Sequence, residues 1–285
     1  VEKIVAVANT AAVTIDLDLT AYAAGIRTID ISAGTASTGN IIKVDEFTSG
    51  GSATGALTLI GSATGITTIT GGDGADTITG GSGVDVIDGG AGEDVFVYVA
   101  TADLVASNAL VDSLTGGSGT ADAIAINNNG GATFTLASTD LIEARMATIE
   151  KIVAAGASNQ IISITASELL FEDGVTTIDL SADTDATANN VIDVSNDDTN
   201  NNAWTLTGST GIDTITGDSG VDTITGGAGV DVIDGGAGED VFIYVATADL
   251  VAGNALVDSL TGGSGSADAI AINNNGGATF TLAST

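Results

Sequence analysis

Residues 71–97 consist of three nonapeptides joined head to tail: GGDGADTIT, GGSGVDVID and GGAGEDVFV. They share the pattern G-G-x-G-x-D-x-U-x, in which U is a large apolar residue, and this pattern returns at 226–234 and 235–243. Looser copies occupy 208–216 and 217–225. Glycine permits left-handed turns and close approach of another backbone, aspartate offers hard oxygen ligands, and the apolar position anchors a short strand. The pattern therefore predicts short strands separated by tight turns that each carry a carboxylate.

The nonapeptides belong to a longer unit that occurs twice. Residues 71–139 and 217–285 align without a gap at an offset of 146 and differ at 7 of 69 positions. The preceding residues are more divergent but still align, as 1–5 do with 149–153. Long tandem units of about 147 residues are typical of arrays whose repeats stack or string together. Because the sequence ends inside a repeat, we expect it to be a window of a longer array.

The residues ahead of each nonapeptide block alternate apolar and polar side chains, with many β-branched residues. Such alternation is typical of half-buried strands. In the first unit it predicts strands at 13–19, 26–31, 41–44, 56–60 and 66–70. The segment 139–148, TDLIEARMAT, instead predicts a short capped helix leading into the next unit.

With these residues, the chain resembles the RTX family, whose calcium-binding nonapeptide repeats have this signature. The resemblance implies a β-roll in which two nonapeptides form one coil, so that each repeat stacks on the repeat after next. The implied fold is all-β, a right-handed parallel β-solenoid with calcium-binding β-roll segments in tandem units. The first unit would span 1–148, with a spacer (1–61), a β-roll (62–97), and a cap and linker (98–148). The second, truncated unit would span 149–285, with a spacer (149–207), a β-roll (208–243) and a cap (244–285).

The same resemblance implies that the metal ligands are the aspartate of each repeat and the backbone carbonyls of its turn. Six or so carboxylate and carbonyl oxygens suit Ca²⁺ and not zinc, so several calcium ions are the expected cofactor. The implied aspartate ligands are Asp76, Asp85, Asp94, Asp213, Asp222, Asp231 and Asp240. The implied carbonyl donors are Gly71, Gly74, Gly80, Gly83, Gly89, Gly92, Gly217, Gly220, Gly226, Gly229, Gly235 and Gly238. Further candidates, in a segment similar to one that closes the family's β-roll, are Asp112, Asp122, Asp258 and Asp268.

The remaining acids near the repeats have simpler interpretations. Asp112 and Asp258 fit equally well as calcium ligands of the cap or as turn caps. Asp88 and Asp234, at the ninth position, are expected to face solvent. Asp73 and Asp218 could add to a turn site, but the sequence favours surface charges at both positions.

Stacking on the repeat after next pairs particular aspartates across the turns. The implied pairs are Asp76–Asp94, Asp213–Asp231 and Asp222–Asp240. Asp85 would instead face Thr67, which cannot supply a carboxylate. We therefore expect fewer well-formed calcium sites in the first unit than in the second.

Charge and composition exclude several functions. The chain has 37 Asp and Glu against 5 Lys and Arg, a net charge of -32, whereas nucleic acids and anionic membranes require a basic surface. It has no Cys and no His, which excludes thiol nucleophiles and His-based catalytic sites. We therefore expect no enzymatic activity from this segment. No apolar run approaches the roughly 18 residues of a membrane-spanning helix.

Three functions fit the repeats. The first is a structural extracellular protein, such as an S-layer, sheath or filament subunit, that associates with copies of itself. The second is the extender of a large RTX-like surface adhesin, and the third is the tail of a secreted hydrolase or toxin. The resemblance implies secretion to the extracellular space or cell surface, through a bacterial type I system. The near-identical period of the units favours the first two functions.

Overall fold

The computed structural model describes residues 2–7, 10–17, 23–36, 39–44, 55–106, 109–128, 133–137, 145–156, 161–167, 174–196, 201–245, 247–252 and 255–273. The chain forms two compact units. Unit 1 comprises residues 1–126 and 140–151, and unit 2 comprises residues 127–139 and 152–285. The repeat boundaries drawn from the sequence stay a prediction.

Nearly all regular structure in the described residues is β-strand. Up to residue 156 the strands are β1 (Lys3–Val5), β2 (Thr14–Leu17), β3 (Thr28–Asp30), β4 (Asn40–Val44), β5 (Thr58–Ile60), β6 (Thr67–Thr70), β7 (Thr77–Thr79), β8 (Val86–Gly90), β9 (Val95–Tyr98), β10 (Val105–Ala106), β11 (Ala109–Leu110), β12 (Ser113–Gly117), β13 (Ala123–Ile126), β14 (Thr133–Leu136), β15 (Met146–Ala147) and β16 (Lys151–Ala154). The later strands are β17 (Ile161–Ser167), β18 (Thr177–Asp179), β19 (Asn189–Asn196), β20 (Thr205–Thr207), β21 (Ile212–Thr216), β22 (Thr223–Thr225), β23 (Val232–Asp234), β24 (Val241–Tyr244), β25 (Val251–Ala252), β26 (Ala255–Leu256), β27 (Ser259–Thr261) and β28 (Ala269–Ile272). Two four-residue helices, α1 (Thr101–Leu104) and α2 (Thr247–Leu250), follow β9 and β24.

In unit 1, successive strands alternate between two series of parallel strands. One series has the order β1-β3-β5-β7-β9-β13, and the other β2-β4-β6-β8-β12-β15. In the nonapeptide block, β7 pairs with β9 so that Ile78 lies opposite Phe96, 18 residues further on. In the other series Ile69 lies opposite Ile87. Two nonapeptides therefore form one coil, and the predicted stacking of each repeat on the repeat after next is confirmed.

Unit 2 repeats this arrangement. Its two parallel series are β14-β17-β19-β21-β23-β27 and β16-β18-β20-β22-β24-β28. Ile224 on β22 lies opposite Phe242 on β24, and Ile215 on β21 lies opposite Ile233 on β23. The prediction of an all-β fold built as a parallel β-solenoid is confirmed. The five strands predicted at 13–19, 26–31, 41–44, 56–60 and 66–70 are also confirmed, as β2 to β6.

The core of each coil is the apolar position of the nonapeptide, because alternate side chains of a strand point to opposite faces. These eighth-position residues are all buried: Ile78, Ile87, Phe96, Ile215, Ile224, Ile233 and Phe242. The seventh position faces the other way, and Val86 and Val232 there are each 50% exposed. The apolar repeat thus fills a narrow interior and leaves the turns at the margins of the coil.

An insertion follows the last nonapeptide strand of each unit. In unit 1 it consists of α1 and the antiparallel pair β10–β11. Leu104, Val105 and Leu110 of this insertion are buried. The parallel register then resumes, because β12 pairs with β8 and β13 pairs with β9. The insertion lengthens the coil from 18 residues to 27 or 28 without ending the stack.

The predicted helix at 139–148 is wrong where the structure describes it. Residues 138–144 lie outside the described residues, and Met146–Ala147 forms strand β15 beside β12. Met146 is buried opposite Leu114 in this pairing, so tertiary packing overrides the local helix signal. None of the helices in the described part of the chain has the length and hydrophobicity needed to cross a bilayer.

Truncation of Phe96 to alanine is expected to lower the free energy of unfolding of calcium-loaded protein by about 3–5 kcal/mol, as for other buried phenylalanines. Phe96 is completely buried between coils, so the change leaves a cavity that a short strand cannot fill. Val86→Ala is the matched control, with an expected change within about 0.5 kcal/mol because half of that side chain is already in water. Denaturant unfolding monitored by circular dichroism measures both values. Equal losses for the two variants would show that Phe96 is not a core residue.

Candidate metal sites in the glycine-rich turns

The sixth-position aspartates lie in buried columns at the turns of each coil. In unit 1 the Asp76 N–H donates to Oδ1 of Asp94, and the Asp94 N–H donates to Oδ1 of Asp122, each at 2.7 Å. A second column joins the Asp85 N–H to Oδ1 of Asp112 at 2.8 Å. All five side chains are at most 1% exposed. The stack of coils thus brings the predicted carboxylates of unit 1 into two lines.

Unit 2 has the same two columns. Each bond again joins the N–H of one aspartate to Oδ1 of the aspartate one coil later. The bonds are Asp213 to Asp231, Asp222 to Asp240 and Asp231 to Asp258 at 2.9 Å, and Asp240 to Asp268 at 3.1 Å. The three aspartate pairs expected from the sequence, 76–94, 213–231 and 222–240, therefore stand next to each other in the structure.

The second carboxylate oxygens of several aspartates have no protein partner. In the described part of the chain, Oδ2 is buried without a hydrogen bond in Asp85, Asp94 and Asp122 of unit 1 and in Asp231 and Asp240 of unit 2. A buried ionised carboxylate without a partner costs several kcal/mol. These oxygens are therefore the places where a cation would be most stabilising.

The turn glycines keep backbone oxygen close to these carboxylates. A Cβ added to Gly71 would lie 2.7 Å from Oδ2 of Asp76 and would also collide with the carbonyl oxygen of Gly89. The same geometry recurs in unit 2, where a Cβ on Gly217 would collide with Oδ2 of Asp222 and with the carbonyl oxygen of Gly235. Gly71 and Gly217 thus each leave a small space lined by oxygen atoms, which only a residue without a side chain can leave open.

The aspartate and glycine oxygens at these turns are a donor set that fits calcium. In the described residues, no three acidic side chains converge closely enough to hold a metal by themselves. A cation at a turn would therefore combine one or two carboxylates with glycine carbonyls, which is the mixed oxygen coordination that Ca²⁺ accepts. Asp85, Asp94, Asp231 and Asp240 would supply Oδ2, and the first and fourth glycines of the stacked repeats would supply carbonyls.

Burial controls the protonation of the columns. It raises the pKa of Asp94, Asp222 and Asp231 to about 7, and that of Asp76 and Asp85 to about 6, from the usual 3.8. Neighbouring carboxylates raise the pKa of Asp94 further, while the N–H of Asp76 opposes the shift. Without metal, the columns therefore hold protons near neutral pH that ordinary aspartates would release.

The other acids near the repeats differ in their exposure to solvent. Asp88 is exposed and Asp234 is half-buried, in line with a solvent-facing ninth position. Asp218 was expected on the surface, but it is 5% exposed and its Oδ1 accepts a hydrogen bond from the Gly220 N–H at 2.7 Å. The expectation of a surface charge is wrong for Asp218, because its side chain is buried and bonds to the backbone of its own turn. Asp73 is half-buried.

Thr67 occupies the place where the second unit has Asp213. Its N–H donates to Oδ1 of Asp85 at 2.6 Å, and its Oγ1 accepts from the N–H of Ser62. Asp85 nevertheless has the same buried Oδ2 as its counterpart Asp231. Threonine at position 67 therefore removes a carboxylate from its own coil, and it leaves the unpartnered oxygen in the turn of Asp85 unchanged. The expected difference in calcium number between the units stays a prediction.

The RTX calcium-binding nonapeptide repeat is the family description that matches this sequence. It matches in four copies, over residues 63–96 and 207–242. The chain carries RTX calcium-binding nonapeptide repeats. The matched residues contain the aspartate columns from Asp76 to Asp94 and from Asp213 to Asp240. No curated protein and no solved structure matches the chain.

The columns extend beyond the RTX repeats, which the sequence alone did not indicate. Glu150 continues one column, because its Oε2 accepts the Asp122 N–H at 2.7 Å. Asn40 and Asn190 do so in the spacers, where their Oδ1 atoms accept the N–H of Val13 and Ile162. The signal that could have found Glu150 is its spacing of 28 residues from Asp122, which equals the spacing from Asp94 to Asp122. Asn40 and Asn190 have no such signal, because the residues that donate to them are Val13 and Ile162.

Substitution of Gly90 by alanine in the first RTX block is expected to destabilise the protein strongly. Gly90 has φ +103° and its Cβ would overlap the carbonyl oxygen of Gly72 on the neighbouring coil. Gly25→Ala is the control, since Gly25 has φ +94° but, apart from its chain neighbours, no atom of the described residues lies within 4 Å of its Cβ position. Gly25→Ala should lower the free energy of unfolding by about 1–2 kcal/mol through backbone strain alone. Gly90→Ala should lower it by clearly more. Thermal melts in calcium compare them, and equal losses would contradict the close packing of the turns.

Proposed function

We propose that the chain is a calcium-rigidified structural segment of an extracellular assembly, such as an S-layer, sheath or filament, without a catalytic role. The observation that supports this function is the buried aspartate column, with Oδ2 atoms that have no hydrogen-bond partner in the described residues. Cations filling such columns would tie each coil to the next. The coils are otherwise joined by short strands of three to five residues in the RTX blocks.

The sequence supplies no positive charge at these columns. The five cationic residues of the chain are Lys3, Arg27, Lys43, Arg145 and Lys151. None lies in the β-roll segments 62–97 and 208–243. Lys3 pairs instead with Asp30 at 3.0 Å, and Arg145 donates to the carbonyl of Val111. Calcium is the counter-charge we assign to the columns, and extracellular calcium is abundant enough for sites of modest affinity.

Repetition supports a structural role. Both units have the same paired strands and the same insertion, and their columns differ in that Thr67 stands in place of Asp213, although each unit already contains its own β-roll. Duplication of a complete element adds length, and repeat arrays gain stability and reach as units are added. We propose that further copies of this chain are the partner in the assembly, since the ends of parallel sheets can accept another strand.

The second candidate is the extender of a large RTX-like surface adhesin. The same tandem units support it, because reach is also what an extender provides. The tail of a secreted hydrolase or toxin is less well supported, since a second near-identical unit of about 147 residues adds nothing to a block that serves export. Secretion through a type I system remains part of the proposal in all three cases.

Electron microscopy of the purified chain, in calcium and after addition of EGTA, distinguishes these candidates. Ordered lattices or filaments that dissolve in EGTA are the result expected for the structural role. Isolated rods at every protein concentration would support the extender. Particles that look the same with and without calcium would contradict both, because each depends on rigidification by the metal.

A further inference from the structure

Each unit has a buried tyrosine that donates a hydrogen bond to the last aspartate of one column in the described residues. The Tyr98 hydroxyl lies 2.7 Å from Oδ2 of Asp112, and the Tyr244 hydroxyl lies 2.8 Å from Oδ2 of Asp258. Both tyrosines are 3% exposed. The two bonds join residues 14 positions apart in each unit. The contact is therefore a repeated feature of the fold and not a chance encounter of surface groups.

These carboxylates differ from those immediately before them in the column. Oδ1 of Asp112 accepts the N–H of Asp85, and the tyrosine satisfies Oδ2, so that both oxygens have a protein donor. Oδ2 of Asp85 has none in the described residues. Unit 2 repeats the contrast between Asp258 and Asp231. Asp85 and Asp231 thus have an oxygen that a cation would stabilise, whereas both oxygens of Asp112 and Asp258 already have hydrogen-bond donors.

The insertion holds the tyrosine in place. Tyr98 ends β9, and α1 and β10–β11 follow directly, with Leu104 and Leu110 buried. Burial raises the pKa of Tyr98 well above its ordinary value, so its hydroxyl keeps the proton that it donates.

We propose that Tyr98 and Tyr244 close one aspartate column in each unit by giving its last carboxylate a hydroxyl donor in place of calcium. Asp112 and Asp258 are then structural residues that position the cap, and the calcium sites of this column end at Asp85 and Asp231. The inference rests on the proposed calcium binding, but it concerns which aspartates take part. It decides between the two interpretations that the sequence left open for Asp112 and Asp258.

The test compares matched double variants of the whole chain. Asp112→Asn with Asp258→Asn keeps the oxygen that accepts the backbone N–H, and Asp85→Asn with Asp231→Asn makes the same change one coil earlier. Calcium bound per chain is measured by equilibrium dialysis and atomic emission. We expect the first variant to retain the wild-type number of ions, and the second to lose one ion per substituted aspartate. Loss of ions from the first variant would overturn the inference.

A wild-type chain that binds no calcium would instead overturn the proposed function, so the two failures are distinguishable. Tyr98→Phe with Tyr244→Phe provides a second test if the Asp112 variant does not fold. It should lower the melting temperature in saturating calcium without reducing the number of bound ions, since it removes a donor and no metal ligand. An unchanged melting temperature, or fewer ions, would contradict the role assigned to the tyrosines.

Discussion

Removal of calcium with EGTA at pH 8 should abolish most of the β-sheet circular dichroism of the chain. A pH of 8 is above the raised pKa values of Asp76, Asp94 and Asp231, which are about 6 to 7, so these carboxylates are ionised. Stacked ionised carboxylates without counter-charge repel each other and bear the cost of burial. The thin core of short strands cannot compensate, so folding and metal binding should be linked. Far-UV spectra recorded during calcium titration measure the effect.

Two controls make this experiment specific. Magnesium should restore much less structure than calcium, because it requires near-ideal octahedral geometry and gives up water reluctantly. Asp94→Asn should raise the calcium concentration needed for folding, since Oδ2 of Asp94 is buried without a hydrogen bond in the described residues. Asp88→Asn, at an exposed position, should leave that concentration unchanged. A spectrum that EGTA does not alter would contradict the linkage.

Metal-free protein should become more stable as the pH falls from 8 to 5. The pKa values of Asp94, Asp222 and Asp231 are about 7 in the folded chain, against a usual value of 3.8. Between these values the folded state binds protons that the unfolded state does not. The free energy of unfolding therefore rises as the pH falls through 7, and levels off below about 4. Protonation removes the same repulsion that calcium would neutralise.

Far-UV spectra and thermal melts of the metal-free chain at pH 8, 7, 6 and 5 test this dependence. The β-sheet signal lost at pH 8 should return, and the melting temperature should increase, as the pH falls. With saturating calcium the trend should reverse, because protons then compete with the metal for the same carboxylates. Greatest stability at pH 8 in EGTA would show that the column aspartates are not buried as carboxylates in the metal-free chain.

The repeat period made the main part of the fold predictable. Nine residues with one apolar and one aspartate position fix which side chains enter the coil, and stacking on the repeat after next places Asp76 beside Asp94. The sequence did not reveal how the columns continue through the caps. There the spacing changes from 18 to 27 or 28 residues, because an insertion lengthens the coil between Asp85 and Asp112.

The direction of individual side chains was the second feature that the sequence did not predict. Asp218 was expected to be a surface charge, yet its side chain is buried and accepts a hydrogen bond from the Gly220 N–H of its own turn. The contact between Tyr98 and Asp112 depends on the insertion that brings residues 14 positions apart together. Such contacts follow from three-dimensional packing, and no periodic pattern in one sequence encodes them.

Anomalous diffraction from crystals of the calcium-loaded chain would locate the metal ions. We expect calcium peaks in the glycine-rich turns, about 2.3–2.6 Å from Oδ2 of Asp94 and of Asp240, with glycine carbonyls completing the coordination. The carboxylates of Asp112 and Asp258 should carry no peak. Crystals grown in calcium that show no anomalous density beside Asp94 and Asp240 would contradict the assignment of the aspartate columns as metal sites.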